Sequence, residues 1–136
     1  MFKIWEKDFL SEHTMFEVEK HVDEILMKDG NNFSVNFHWQ RALKGSKAIS
    51  TSPVFINHYG KQNEDLQQMV HDEVNEYVSE YGHEVDTSII HIMIEGAEIN
   101  WHSDIGGGSG RRSGAVSIYL NRKWGVDFGG ELLYNT

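Results

Sequence analysis

The chain has 136 residues, enough for one domain and too few for a second that folds alone. A hydrophobic fraction of 39%, with 12% aromatic residues, is that of a packed globular protein and excludes a disordered one. The formal charge of −9 with no run of Lys or Arg argues against binding a nucleic-acid backbone, and the lack of cysteine removes disulfides, thiolate metal sites and cysteine nucleophiles together.

From Met1 to Asp8 charges recur every few residues, unlike the apolar centre of a signal peptide. No stretch is apolar over the length a bilayer demands, so the expected location is cytoplasmic and no membrane partner is expected. The first amphipathic helix is predicted from Ser11 to about Lys28, with Met15, Val18, Val22 and Ile25 on its buried stripe. Ser11 is its expected N-cap, Glu12 suits the positive helix end, and Asp29-Gly30 can terminate it. Next, Phe33, Val35, Phe37 and Trp39 alternate with polar residues, as in a half-buried strand. Pro53 predicts a break, followed by a short strand or buried segment at Val54-Phe55-Ile56.

A second helix is predicted from about Asn63 to Tyr81. Leu66, Val70, Val74, Tyr77 and Tyr81 form its apolar stripe, Asn63 caps it and Gly82 ends it. Beyond Gly82 the period becomes two: Ile90, Ile92 and Ile94, then Ile99, Trp101 and Ser103, then Val116, Ile118 and Leu120, then Glu131-Leu132-Leu133-Tyr134. Glycine-rich turns separate these runs, as a β-sandwich or barrel requires. The expected class is α+β, helices first, with a C-terminal half that is a β-barrel or part of one.

The sharpest local signal is Asn100-Trp101-His102-Ser103-Asp104. On a strand His102 and Asp104 share one face, and side chains about 6–7 Å apart along it can converge on one divalent ion. With a second histidine they would form the facial triad of non-haem iron oxygenases, which leaves positions open for substrate and oxygen. A His-x-Asp triplet also occurs as a surface histidine beside an aspartate, so the surrounding residues decide between the two. Gly106-Gly107-Gly108-Ser109-Gly110 has no following Lys-Ser/Thr and no helix start, so it reads as a mobile loop over a site, or a solvated linker, rather than a phosphate loop.

Glu95-Gly96 precedes His102 by a short turn; then come Arg112, Val116-Ser117-Ile118-Tyr119-Leu120-Asn121, Trp124 and Gly129-Gly130-Glu131-Leu132. This order, over about residues 89 to 134, resembles the prolyl-4-hydroxylase-like branch of the 2-oxoglutarate/Fe(II)-dependent dioxygenases. Phe9-Leu10-Ser11 opening a helix is similar to that family's entry. The resemblance implies N-terminal helices packed on a double-stranded β-helix, or jelly-roll, barrel. It implies His102 and Asp104 as iron ligands, with Fe(II), 2-oxoglutarate as cosubstrate and ascorbate as cofactors. It implies hydroxylation of an unactivated C–H bond of a peptidyl or small-molecule substrate. Tyr119 matches the tyrosine that, in part of the family, hydrogen-bonds the 2-oxoglutarate carboxylate; an ordinary packing aromatic is the other reading of it. Arg112 is read as structural.

The family's second iron histidine follows the aspartate at a distance, and a basic residue after it anchors the cosubstrate. Here His102 is the last of eight histidines, and Arg111, Arg112, Arg122 and Lys123 all precede Gly129. Three explanations are expected, in this order. The single domain of residues 1–136 is incomplete at its C-terminus; or a homodimer completes the barrel; or a relative of the family takes its third ligand from His38, His58 or His91. His13, His21, His71 and His83 are expected to be solvated, and His38 to be exposed rather than liganding. A catalytically inactive β-barrel binding or assembly module derived from that fold is the alternative function.

Overall fold

The computed structural model describes residues 8–27, 38–42, 49–93, 95–97, 99, 105, 113–121, 123 and 125. The first element is α1, Glu12–Met27. Ser11 starts it as expected: its hydroxyl accepts the Thr14 N–H at 3.2 Å, and its carbonyl accepts the Met15 N–H at 2.9 Å. Val18 and Ile25 are buried and Met15 and Val22 half-buried, so the predicted stripe is the inner one. It also carries two polar residues, Thr14 at 2% exposure and His21 at 7%. His21 was expected in solvent; it lies one turn beyond Val18 on the same face, where the 3.6-residue period draws it inside.

The second long helix, α2, is Glu64–Val78, continued by a 3₁₀ turn at Ser79–Tyr81. Asn63 caps it by accepting the Leu66 N–H at 3.0 Å. Gly82 ends the run in the left-handed region (φ 75°), as a glycine after a helix does without steric cost. Leu66, Val70, Val74 and Val78 are its buried stripe. Tyr77 is half-buried against Phe9 at 5.2 Å, edge to face, whereas Tyr81, expected within the stripe, is 42% exposed. The tighter 3₁₀ turn that carries Tyr81 advances each residue by more than the α-helical angle and rotates the ring off the stripe.

α1 and α2 are joined at one end by a carboxylate. Glu73 of α2 accepts the Ser11 N–H at 2.8 Å, the Ser11 hydroxyl at 2.6 Å and the Thr14 hydroxyl. It thereby places negative charge at the N-terminus of a helix to which it does not belong. Burial would raise its pKa, but the hydrogen bonds from the Ser11 and Thr14 hydroxyls and the Ser11 N–H, with the charge of His13, outweigh burial and lower it.

Three antiparallel strands complete the described architecture: β1 His38–Ala42, β2 Ile49–Asn57 and β3 Ile90–Met93, in the order β1-β2-β3. The class is therefore α+β. The predicted strand from Phe33 is described from His38 onward, as β1; Phe33, Val35 and Phe37 lie outside the described residues, as do Ile94 and the Glu131–Tyr134 segment. Pro53 does not break β2, contrary to expectation. The register passes from Gln40↔Val54 to Ala42↔Ile49, leaving Pro53 in an irregularity where a missing N–H costs no regular ladder bond. Val116, Ile118 and Leu120, expected on a strand, lie in an irregular segment across residues 113–121. Alternation reports which side chains are buried, while a strand also needs a ladder partner. The alternation itself is half kept: Ile118 and Leu120 pack on the core, and Val116 is exposed.

That core joins Val18 of α1, Tyr59 of the 3₁₀ turn Tyr59–Lys61, the α2 stripe and Ile90 of β3. Each such aliphatic side chain contributes about 1.5–3 kcal/mol of transfer free energy when fully buried. No helix is long and apolar enough to cross a membrane among the described residues.

Glu73→Gln should destabilise the fold by about 1–2 kcal/mol in denaturant titrations near neutral pH, because an amide cannot accept all three donors. Since the folded pKa of Glu73 lies below its unfolded value, its contribution is present above the unfolded pKa and fades as pH falls through the folded one. The gap between wild type and Glu73→Gln should therefore narrow below about pH 4; a gap constant from pH 7 to pH 3 would refute the clamp.

Candidate functional site

The approach to the expected metal ligands is described, and the ligands themselves lie outside the described residues. After β3 the chain turns at Glu95-Gly96, with Gly96 in the left-handed region at φ 76°, and Ile99 makes an isolated β-bridge. His102, Asp104, Arg112 and most of the glycine-rich loop fall outside the described residues. Tyr119 is described. Its ring is 57% exposed, while its neighbours Ile118 and Leu120 pack on the helical core. The phenol thus points away from the core, on the side the alternation predicts.

The sheet has two unlike faces. Ile90 is buried among α1 and α2 side chains, and its partner Asn57 is 1% exposed. Ile56, His91 and Met93 alternate with these residues and occupy the other face, with His91 and Met93 exposed. Among the described residues, the helices therefore cover one face of β3 and not the other. Desolvation lowers the pKa of His91 although its ring reaches solvent, so its imidazole is neutral at physiological pH. His38 occupies the same cross-strand row, paired with Ile56, which pairs with His91. His58 is exposed beyond the end of β2, in an open depression of about 270 Å³ that Lys61, Glu64, Gln67 and Ser88 also line.

One polar cluster was not anticipated from sequence. The Ser88 hydroxyl lies 2.6 Å from the Tyr59 hydroxyl, 2.8 Å from His71 Nε2 and 3.4 Å from Gln67 Nε2, whose amide also donates to the Ser88 carbonyl at 3.3 Å. A hydroxyl has one proton and two lone pairs, so three partners saturate it. Desolvation lowers the pKa of His71, against the opposing charge of Asp72, and burial raises that of Tyr59, against the Ser88 hydrogen bond. Both rings are neutral near pH 7, and the cluster ties the loop before β3 to α2. His71 was expected in solvent; it is half-buried by this contact. Gln67 and His71, four apart and one position round from the apolar stripe, were the available signal. Gly60 belongs to the same arrangement, because a Cβ there would collide with the Gln67 amide.

His21 Nε2 is buried with no hydrogen-bond partner among the described residues, and its ring lies 6.2 Å from that of Tyr59. Desolvation lowers its pKa more than the charge of Glu24 raises it, so it too is neutral. His83 is half-buried and meets the Ser113 hydroxyl at 3.1 Å, again not in free solvent, whereas His13 is exposed as expected. No group of three His, Cys, Asp or Glu able to hold a metal occurs among the described residues. Comparison with protein-family models, curated proteins and solved structures finds no match to this chain.

Ser88→Ala should lower unfolding free energy by about 1–3 kcal/mol, because it strands the buried Tyr59 hydroxyl. Adding Tyr59→Phe to Ser88→Ala should cost less than the two changes measured separately. Strict additivity in a double-mutant cycle would show that the two hydroxyls are not coupled.

Proposed function

We propose that the chain is a 2-oxoglutarate- and Fe(II)-dependent oxygenase that hydroxylates an unactivated C–H bond of a peptidyl or small-molecule substrate. The observation that carries this is His102-Ser103-Asp104 followed, in order, by Arg112, Tyr119-Leu120-Asn121, Trp124 and Gly129-Gly130-Glu131-Leu132. The two-faced sheet supports it. Helices cover one face of β3, and the open face is where a double-stranded β-helix barrel would enclose a site.

The donor set suits Fe(II): imidazole and carboxylate with open positions are the ligands of the facial-triad sites. Bound together, Fe(II) and 2-oxoglutarate supply the oxygen-activating chemistry. The chain's own residues hold and orient. His102 and Asp104 hold the metal. Tyr119, with its phenol on the side away from the core, donates a hydrogen bond to a cosubstrate carboxylate and fixes its direction. The second reading is an inactive binding or assembly module derived from the same barrel, in which His102 and Asp104 are relics.

Anaerobic titration with Fe(II) and 2-oxoglutarate should give a visible metal-to-cosubstrate absorption band, lost in His102→Ala. Tyr119→Phe should keep the band and weaken 2-oxoglutarate about tenfold, the loss of one hydrogen bond to a charged group. A wild-type chain that gives no band, with or without ascorbate, would mean that the chain as given carries an incomplete or relic site rather than a working enzyme's.

A further inference from the structure

We propose that His21 makes α1 an acid-releasable strap, one that lifts from the core when the imidazole takes up a proton while α2 stays seated. This device belongs to the helices alone and holds whether or not the chain binds a metal. Thr14, Val18, His21 and Ile25 are the buried residues of α1, spaced by four, three and four. His21 therefore stands in the middle of the inward stripe, with an apolar residue one turn to either side. It is 7% exposed, and its Nε2 is enclosed with no hydrogen-bond partner among the described residues. Its ring lies 6.2 Å from that of the buried Tyr59. A neutral imidazole occupies that setting at the cost of one unmade hydrogen bond. An imidazolium would bring a full charge into it.

Among the described residues, no group around His21 offers that charge a buried counter-ion. On its own helix, desolvation lowers the pKa of His21 more than the charge of the exposed Glu24 raises it. The 3₁₀ turn presents Tyr59, which burial keeps neutral. The core cluster that includes Tyr59 is otherwise apolar, with Leu66, Val70, Val74 and Val78 from α2 and Ile90 from β3. Glu73 of α2 is engaged by Ser11 and Thr14, and Thr14 lies about two turns from His21 along α1. α1 is also the more lightly held helix. It gives the cluster one buried side chain, Val18, against four from α2. α2 has in addition its Asn63 cap, the Ser88 contacts and the bond from the Val85 N–H to Asn75. Charge at position 21 therefore opens α1 first.

Because the pKa of folded His21 lies below its unfolded value, the neutral ring's contribution is present above about pH 6.5 and is lost as pH falls from there toward the folded pKa. One proton taken up on opening multiplies the opening constant by up to about tenfold per pH unit in that window. Hydrogen–deuterium exchange of the α1 and α2 amides is followed from about pH 7.5 to about pH 5.5 in wild type, His21→Leu and His71→Gln. Rates are corrected for the intrinsic pH dependence of amide exchange, and circular dichroism confirms each fold. Opening of α1 in wild type should rise about fivefold to tenfold, with α2 changing by less than about threefold. The α1 rise should persist in His71→Gln and disappear in His21→Leu. The idea is overturned if α1 keeps the same protection across the range, if α1 and α2 open in step, or if His21→Leu shows the same rise. The wild-type comparison of α1 with α2 decides even where a variant does not fold. His21 resonances that titrate while the α1 amides stay protected would show the ring charging without release, and equally refute the strap.

Discussion

Leu66, Val70, Val74 and Val78 lie along one side of α2, and α1, the 3₁₀ turn before α2 and β3 each pack an apolar side chain in the same cluster. α1 adds Val18 to it, the 3₁₀ turn before α2 adds Tyr59, and β3 adds Ile90. A helix of 15 residues is barely stable alone, so α2 depends on these neighbours to cover its strip. The polar contacts are arranged around this dependence. Glu73 fixes where α1 begins, and the Ser88 cluster fixes how the chain enters β3. Both lie beside the strip rather than in it. Shifting α2 by a residue would break each of them at once.

The same dependence explains why the sheet is one-sided. A strand whose Ile90 is drawn into a helical core must turn His91 and Met93 away from it, because successive side chains alternate. The histidines divide accordingly. His21 and His71 face inward toward Tyr59 and Ser88 and are neutral and structural; His91 faces outward. Type and count of residues could not have separated these roles, since all are ordinary histidines on amphipathic elements.

What was legible in the sequence was what depends on near neighbours in the chain. Ser11, Asn63 and Gly82 start and stop helices within one turn of themselves, and all three act as read. The apolar stripes of both helices were legible for the same reason. What was hidden depends on partners far along the chain. Glu73 reaches Ser11 across 62 residues, and no local pattern marks it as a cap. Pro53 read as a break because its tolerance depends on a shift in the register of β1. Residues 116–120 carry the alternation of a strand without its ladder. For the candidate site, the motif at His102 and Asp104 was legible as a pattern, and the direction of Tyr119 followed from its neighbours. Which face of β3 is free could be settled only by seeing what the helices bury.

Pro53 has a further consequence. Among the described residues, the stretch of β2 from Ile49 to Pro53 extends past those that pair with β3, which begin at Val54. A strand running on beyond its partner is a template on which a foreign peptide can add itself, and such additions seed aggregates. A proline there withholds one of the donors such an addition would use and stiffens the backbone beside it. A proline at position 53 therefore leaves this stretch of β2 one backbone donor short for pairing with another strand.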